Sequence, residues 1–121
     1  MNLDNVVCLS GFASDIHSKM RDAAMYVSSS DYEGISNSML EALGMGLPTI
    51  VTDCPVGGAR MIIQDGKNGI LVKVGDTLAF YSAMKKVIED KEFSKRISKE
   101  AVKVKELYPI ERISERWIEI I

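Results

Sequence analysis

Apolar residues fall into four short runs in the first part of the chain: Val6–Leu9, Met25–Val27, Thr49–Thr52 and Ile70–Val72. Each is closed by small, polar or turn residues, the pattern of buried strands. Between the first two runs, Ile16, Met20 and Ala23/Ala24 recur at helical spacing from Asp15 to Ala24, with Ser14 or Asp15 placed to cap the helix. A second helix is expected to begin near Ser36–Ser38 and run to about Leu43, where Gly44 and Gly46 end it. Pro48 then opens a strand, where its missing N–H does no harm. Asp53–Gly58 reads as a turn-rich loop, Ala59–Gln64 as a short helix, and Asp65-Gly66 and Asn68-Gly69 as turns before the last run. From Asp76 onward the period is helical, first through Leu78, Phe80, Tyr81, Met84, Val87 and Ile88, then through Phe93, Ile97, Ala101 and Val104. Pro109 breaks the pattern, and a final helix is expected over Ile110–Ile121.

Strands that alternate with helices predict an α/β fold, a Rossmann-like parallel sheet of about four strands flanked by helices, with a helical C-terminal tail. A chain of 121 residues forms one domain at most, 1–121. Parallel sheets of this kind bind ligands outside the carboxyl ends of their strands. The loops Ser28–Ser36 and Asp53–Gly58 both follow strands directly, so both should line that edge.

Composition removes several alternatives. A net charge of −2 gives no global field for nucleic acid. The apolar runs are too short to span a membrane. Met1–Asn5 lacks the basic start and apolar stretch of a secretory leader, so a cytoplasmic location is expected. Cys8 and Cys54 have no metal-type spacing and read as reduced, small apolar residues near strand ends. No metal site is expected. The one histidine, His17, falls in a surface helix. Ten of the fifteen basic residues lie in 85–121 among eight acids, the mixture of a solvated face on packed helices.

The chemistry concentrates in Glu33-Gly34-Ile35-Ser36-Asn37-Ser38-Met39-Leu40-Glu41. Here a strand-following loop runs into a helix start, which offers free N–H groups and the positive end of a dipole to a phosphate. A carboxylate on either side accepts hydrogen bonds from hydroxyls. Phosphate flanked by hydroxyls describes a nucleotide sugar. Glu33 is either an acceptor for sugar hydroxyls or an exposed loop acid, and Gly34 would let a ligand approach the backbone closely. Glu41 has two readings. It holds a ribose diol if the helix begins near Ser36, or it closes an S-x-x-E capping box with Ser38 if the helix begins there. Ser36, Asn37 and Ser38 serve as caps and as the phosphate cradle at once. Gly57-Gly58 could form a second anion nest, and Arg60 could meet a phosphate or a surface acid. No G-x-G-x-x-G follows the first strand, which argues against a dinucleotide oxidoreductase.

Taken in order, Ser30-x-x-Glu33-Gly34, Glu41-Ala42-Leu43-Gly44-Met45-Gly46-Leu47-Pro48-Thr49-Ile50-Val51, Gly57-Gly58 and Asp65-Gly66-x-Asn68-Gly69-Ile70-Leu71-Val72 resemble the C-terminal domain of retaining GT-B glycosyltransferases. More narrowly, they resemble the group 1 glycosyl transferase family. Asn5–Phe12 resembles that family's strand and loop, so the likeness covers residues 5–90.

The resemblance implies half of a GT-B fold and a donor site for a nucleotide sugar, with a UDP-sugar as the family's habit. It implies that Glu33 contacts the transferred sugar and Glu41 the ribose. Gly34, Ile35, Ser36, Asn37 and Ser38 would meet the sugar and diphosphate. No residue here is implied as general base or nucleophile. No cofactor or metal is implied, because cationic side chains and helix dipoles stabilise the leaving diphosphate. The partners implied are the donor and an N-terminal domain carrying a glycan or lipid-linked acceptor, with the whole enzyme peripheral at the inner membrane face. Three departures stand out. The family's basic pair for the diphosphate has no counterpart here. Arg60 and Met61 replace its Pro and Glu. The N-terminal domain is absent, as are the strand and helix that precede residue 5, which predicts an inactive fragment with an open sheet edge able to pair in a dimer. The alternatives are a non-catalytic nucleotide- or phosphate-binding α/β module, or an interaction domain in which the Glu33–Glu41 unit is only a capped helix.

Overall fold

The computed structural model describes residues 3–107, together with Pro109 and Ile118. Its centre is a parallel sheet of β1 (Tyr26–Ser28), β2 (Thr49–Thr52) and β3 (Ile70–Val72), in that spatial order. Tyr26 pairs with Thr49 and Ser28 with Val51, while Ile50 pairs with Ile70 and Thr52 with Val72. The middle strand β2 is buried along its whole length. Its two faces seed two cores, as the twofold alternation of a strand requires. Val51 packs with Met39, Leu43, Ala59 and Ile62 beneath α2 (Asn37–Gly44) and α3 (Gly58–Ile62). Ile50 packs with Val72, Ala83, Val87, Phe93 and Ile97 beneath α4 (Thr77–Glu89) and α5 (Lys91–Ala101). The sheet therefore lies between helical layers, a Rossmann-like arrangement. Thr49, fully buried in β2, satisfies its hydroxyl by donating to the Leu47 carbonyl at 2.9 Å.

The elements differ from the sequence expectation at several points. Val6–Leu9 forms no strand, so the sheet has three strands among the described residues rather than about four. The N–H groups of Val6 and Val7 both donate to the Leu3 carbonyl at 2.9 Å, closing a turn with the donors a ladder would need. Leu9 and Phe12 are almost wholly exposed, and Cys8 is exposed rather than buried. Cys54, at the end of β2, is buried as expected. The first helix, α1 (Ile16–Met20), stops short of Ala24, with Asp15 as its cap accepting from the Ser18 N–H at 3.0 Å. Of the apolar positions expected on α4, Leu78, Tyr81 and Ile88 are exposed, because the helix offers only its Ala83–Val87 side to the sheet. Asp90 both ends α4 and caps α5, accepting from the Phe93 N–H at 2.9 Å. The short α6 (Val104–Leu107) follows α5. The final helix expected over Ile110–Ile121 lies outside the described residues. β1 pairs with β2 alone, which leaves its other edge open among the described residues.

Ile97 is fully buried where α5 meets the sheet layer. Ile97→Ala should cost about 2–5 kcal/mol, the transfer term plus a cavity, read as a lower denaturant midpoint with unchanged slope.

Candidate functional site

The carboxyl ends of β1 and β2 feed two loops that lock together. The Glu33 N–H donates to the Pro55 carbonyl at 3.0 Å, and the Val56 N–H returns a bond to the Glu33 carbonyl at 3.3 Å. Next to this pair, Gly58 packs against the Gly34–Ile35 peptide. A Cβ at Gly58 would lie 2.2 Å from the Gly34 carbonyl carbon and oxygen and 2.5 Å from the Ile35 nitrogen. Gly57 at φ +88 supplies the left-handed turn that brings Gly58 there. Gly58 is thus a packing position between the two loops.

That loop is further pinned from beneath. The Thr52 hydroxyl donates to the Ser30 carbonyl, and Ser30 Oγ donates to Glu33 Oε2 at 3.3 Å while meeting Ser28 Oγ at 3.2 Å. Glu33, Gly34 and Ser36 line one narrow crevice with Ser28, Ser30 and Thr52. Its free space is about 10 Å³, room for one water at most. A larger ligand must therefore lie over these groups rather than between them. Nothing lies within 4 Å of where a Gly34 Cβ would stand. The fold itself does not demand a glycine there.

Helix α2 is capped by Ser36, not Ser38. The Ser36 hydroxyl accepts from the Met39 N–H at 3.4 Å, and its carbonyl from the Leu40 N–H at 3.1 Å. This removes the capping-box reading of Glu41, which sits in the second turn beyond reach of a box. The N–H groups of Asn37 and Ser38 remain without partners among the described residues, as the first turn of a helix dictates. Of the three expected cap residues, Ser36 alone caps the helix, and Asn37 and Ser38 lie in its first turn. A hydroxyl chain steadies them. Tyr26 Oη meets Ser38 Oγ at 2.7 Å, and Ser38 Oγ meets Ser36 Oγ at 2.9 Å. Nothing local in the chain points to Tyr26, since a strand tyrosine reads as core.

Glu41 does not share the crevice of Glu33. It lines a separate hollow of about 460 Å³ with Leu40, Gly44, Met45 and Lys105. His17 of α1 joins it there, with Nε2 3.8 Å from Glu41 Oε2. Ile35 and Asn37 are exposed between the two acids.

Arg60 meets a surface acid, the second of its two readings. Its Nε and Nη2 each donate to Asp53 at 2.7 Å, a bidentate pair. The hydrogen bonds Arg60 donates to Asp53, and then the Asp53 charge, raise the Arg60 pKa above the ordinary guanidinium value. Asp65-Gly66-x-Asn68-Gly69 is structural. Asp65 Oδ1 accepts from the Leu71 N–H at 2.9 Å, while Asn68 accepts from the Gln64 N–H at 2.7 Å and donates to the Ile62 carbonyl at 3.1 Å, closing α3. Among the described residues no group of His, Cys, Asp and Glu is placed to hold a metal ion.

A parallel sheet between helical layers, with partnerless helix N–H groups after its first strand, is a Rossmann-like α/β domain. Residues 1–90 match the family described as glycosyl transferases group 1, and the chain belongs to it. It is 38% identical over 97 residues to EpsD of Bacillus subtilis (strain 168), covering 80% of this chain and 25% of EpsD. It is 31% identical over 91 residues to the Escherichia coli UDP-Gal:alpha-D-GlcNAc-diphosphoundecaprenol alpha-1,3-galactosyltransferase, covering 75% of this chain and 23% of that protein. Its fold superposes on Staphylococcus aureus TarM, a mutant solved with fondaparinux, alpha-GlcNAc-glycerol and UDP. The TM-score is 0.90 at 26% identity, covering 97% of this chain and 24% of TarM. The chain spans about a quarter of the length of these relatives.

Gly58→Ala should displace the Glu33 loop and cost about 1–3 kcal/mol through overpacking, with amide shift changes centred on Glu33–Ile35. Gly34→Ala, with open space around it, should leave the denaturation midpoint within about 0.5 kcal/mol of the parent.

Proposed function

We propose that this chain is the donor-binding domain of a two-domain glycosyltransferase, taking a UDP-sugar and passing its sugar with retention to a glycan or lipid-linked acceptor. The observation that carries this reading is the start of α2 at Ser36. It leaves the Asn37 and Ser38 N–H groups open at the strand edge, with Glu33 before them and an uncapped Glu41 after them. The diphosphate would lie on those N–H groups and the helix dipole. Glu33, with Gly34 and Ile35 beside it, would accept from hydroxyls of the transferred sugar. Glu41 would accept from the ribose diol. The open space at Gly34 suits a ligand that approaches the backbone.

Support for the donor class comes from the relatives: TarM was solved with UDP, and the Escherichia coli enzyme is named for UDP-Gal. Arg60 is committed to Asp53, so the cations that neutralise the leaving diphosphate would come from elsewhere, without a metal or other cofactor. The acceptor would be held by an N-terminal domain. Without it nothing holds an acceptor hydroxyl near the anomeric carbon, and orientation supplies much of the barrier reduction. No general base or nucleophile is assigned to these residues.

Calorimetric titration with UDP and with UDP-glucose separates the roles. Glu41→Gln should weaken both ligands equally, by about tenfold or more, as expected for losing a charged hydrogen-bond acceptor. Glu33→Gln should weaken UDP-glucose alone. Equal affinity for UDP and UDP-glucose in the parent, unchanged by Glu33→Gln, would instead point to a nucleotide-binding module. Radiolabelled transfer by the 121-residue chain alone should be absent, and turnover would refute the two-domain assignment.

A further inference from the structure

Three hydroxyls are strung from the sheet to the first turn of α2. Tyr26 Oη stands 2.7 Å from Ser38 Oγ, and Ser38 Oγ stands 2.9 Å from Ser36 Oγ. The chain of hydroxyls begins on β1 and ends on the cap of α2, a residue that also lines the Glu33 crevice. Either atom of each pair can donate. The direction of the bonds decides what the strand edge offers a ligand.

Each hydroxyl carries one proton, so the two contacts use two of the three and leave one over. Head-to-tail alignment is favoured, because each bond then polarises the next. That leaves the spare proton at one end or the other. If the bonds run from Ser36 to Tyr26, it sits on the phenol, and Tyr26 Oη has no further partner among the described residues. If they run from Tyr26 to Ser36, it sits on the cap. A phenol donates better and accepts worse than an alcohol, which puts Tyr26 at the donating end. Ser36 Oγ then accepts from Ser38 and from the Met39 N–H at 3.4 Å. Both of its lone pairs are in use, and its own proton is free to leave the chain.

We propose that Tyr26 is a positioning residue: acting through Ser38, it turns the Ser36 hydroxyl into a donor at the strand edge, aimed at an oxygen of the donor's diphosphate. The inference rests on the donor reading above. Tyr26 itself touches no ligand. The Ser36 O–H joins the open N–H groups of Asn37 and Ser38, so that three donors converge on one anion. Its strength as a donor is set from β1, two bonds away.

The test is calorimetric titration of the full chain with UDP, in combined variants. Tyr26→Phe keeps the ring that packs on the core beneath α2 and should weaken UDP about fivefold. Ser36→Gly removes the hydroxyl while keeping most of the capping, and in that background Tyr26→Phe should cost nothing further. In Ser36→Thr, which retains the hydroxyl, the full loss should return. Combined with Glu41→Gln, on the ribose side, Tyr26→Phe should multiply the loss, as independent sites do. A tyrosine that only braces α2 would weaken UDP as much in Ser36→Gly as in the parent, and that result overturns the proposal. So does a Tyr26→Phe chain that binds UDP as tightly as the parent. Amide shifts of the parent judge the donor reading separately. If UDP moves Ser36–Ser38, that reading stands whatever Tyr26→Phe does; if UDP leaves them unmoved, both fall.

Discussion

The closest constraint in this domain is a contact between two pieces of backbone. Gly58 lies against the Gly34–Ile35 peptide with no room for a methyl group, and the Glu33 backbone exchanges hydrogen bonds with Pro55 and Val56 across the same junction. Two loops from neighbouring strands thereby become one surface. Glu33 is held where β1 ends, the chain is delivered into α2 at Ser36, and the open N–H groups of Asn37 and Ser38 face the strand edge as a result. Moving either loop would move all of these together. The hydroxyl links from Thr52 to Ser30 and from Tyr26 through Ser38 to Ser36 act on the same junction from the sheet side.

Apart from Lys73, the edge is built from acceptors and neutral donors. Glu33, Glu41 and Asp31 are exposed or partly exposed carboxylates. Arg60, the cation nearest the glycine turn in sequence, is spent on Asp53. Such an edge offers many acceptors to hydroxyl groups and little positive charge to an anion.

The sequence made much of this legible, and where it did not the cause is physical. β2 and β3 have the predicted bounds, because their residues are apolar or β-branched and are framed by Pro48, Gly66 and Gly69. Val6–Leu9 has the same local pattern and yet forms no strand. A ladder needs a neighbour, and periodicity carries no information about partners. The exposure of Leu78, Tyr81 and Ile88 was hidden for a similar reason, since helical spacing marks an apolar stripe without saying how much of it the sheet will cover. At the strand edge, the Ser36 cap could be read from residue type and position. The role of Gly58 could not, because a glycine pair reads the same whether it faces a ligand or another peptide. His17 beside Glu41 and Tyr26 beside Ser38 are contacts between separate elements, which no local pattern encodes.

The four residues of β2 are all buried, and each is committed either to one of the two cores or to satisfying a neighbour's hydrogen bond. The groups offered to solvent at the strand ends, such as Ser29, Asp31 and Lys73, take no part in those cores. Inheritance can therefore act on the two sets at different speeds. The strand must drift slowly, since any change is felt on both faces of the sheet. The rim can change its side chains with the scaffold unaltered.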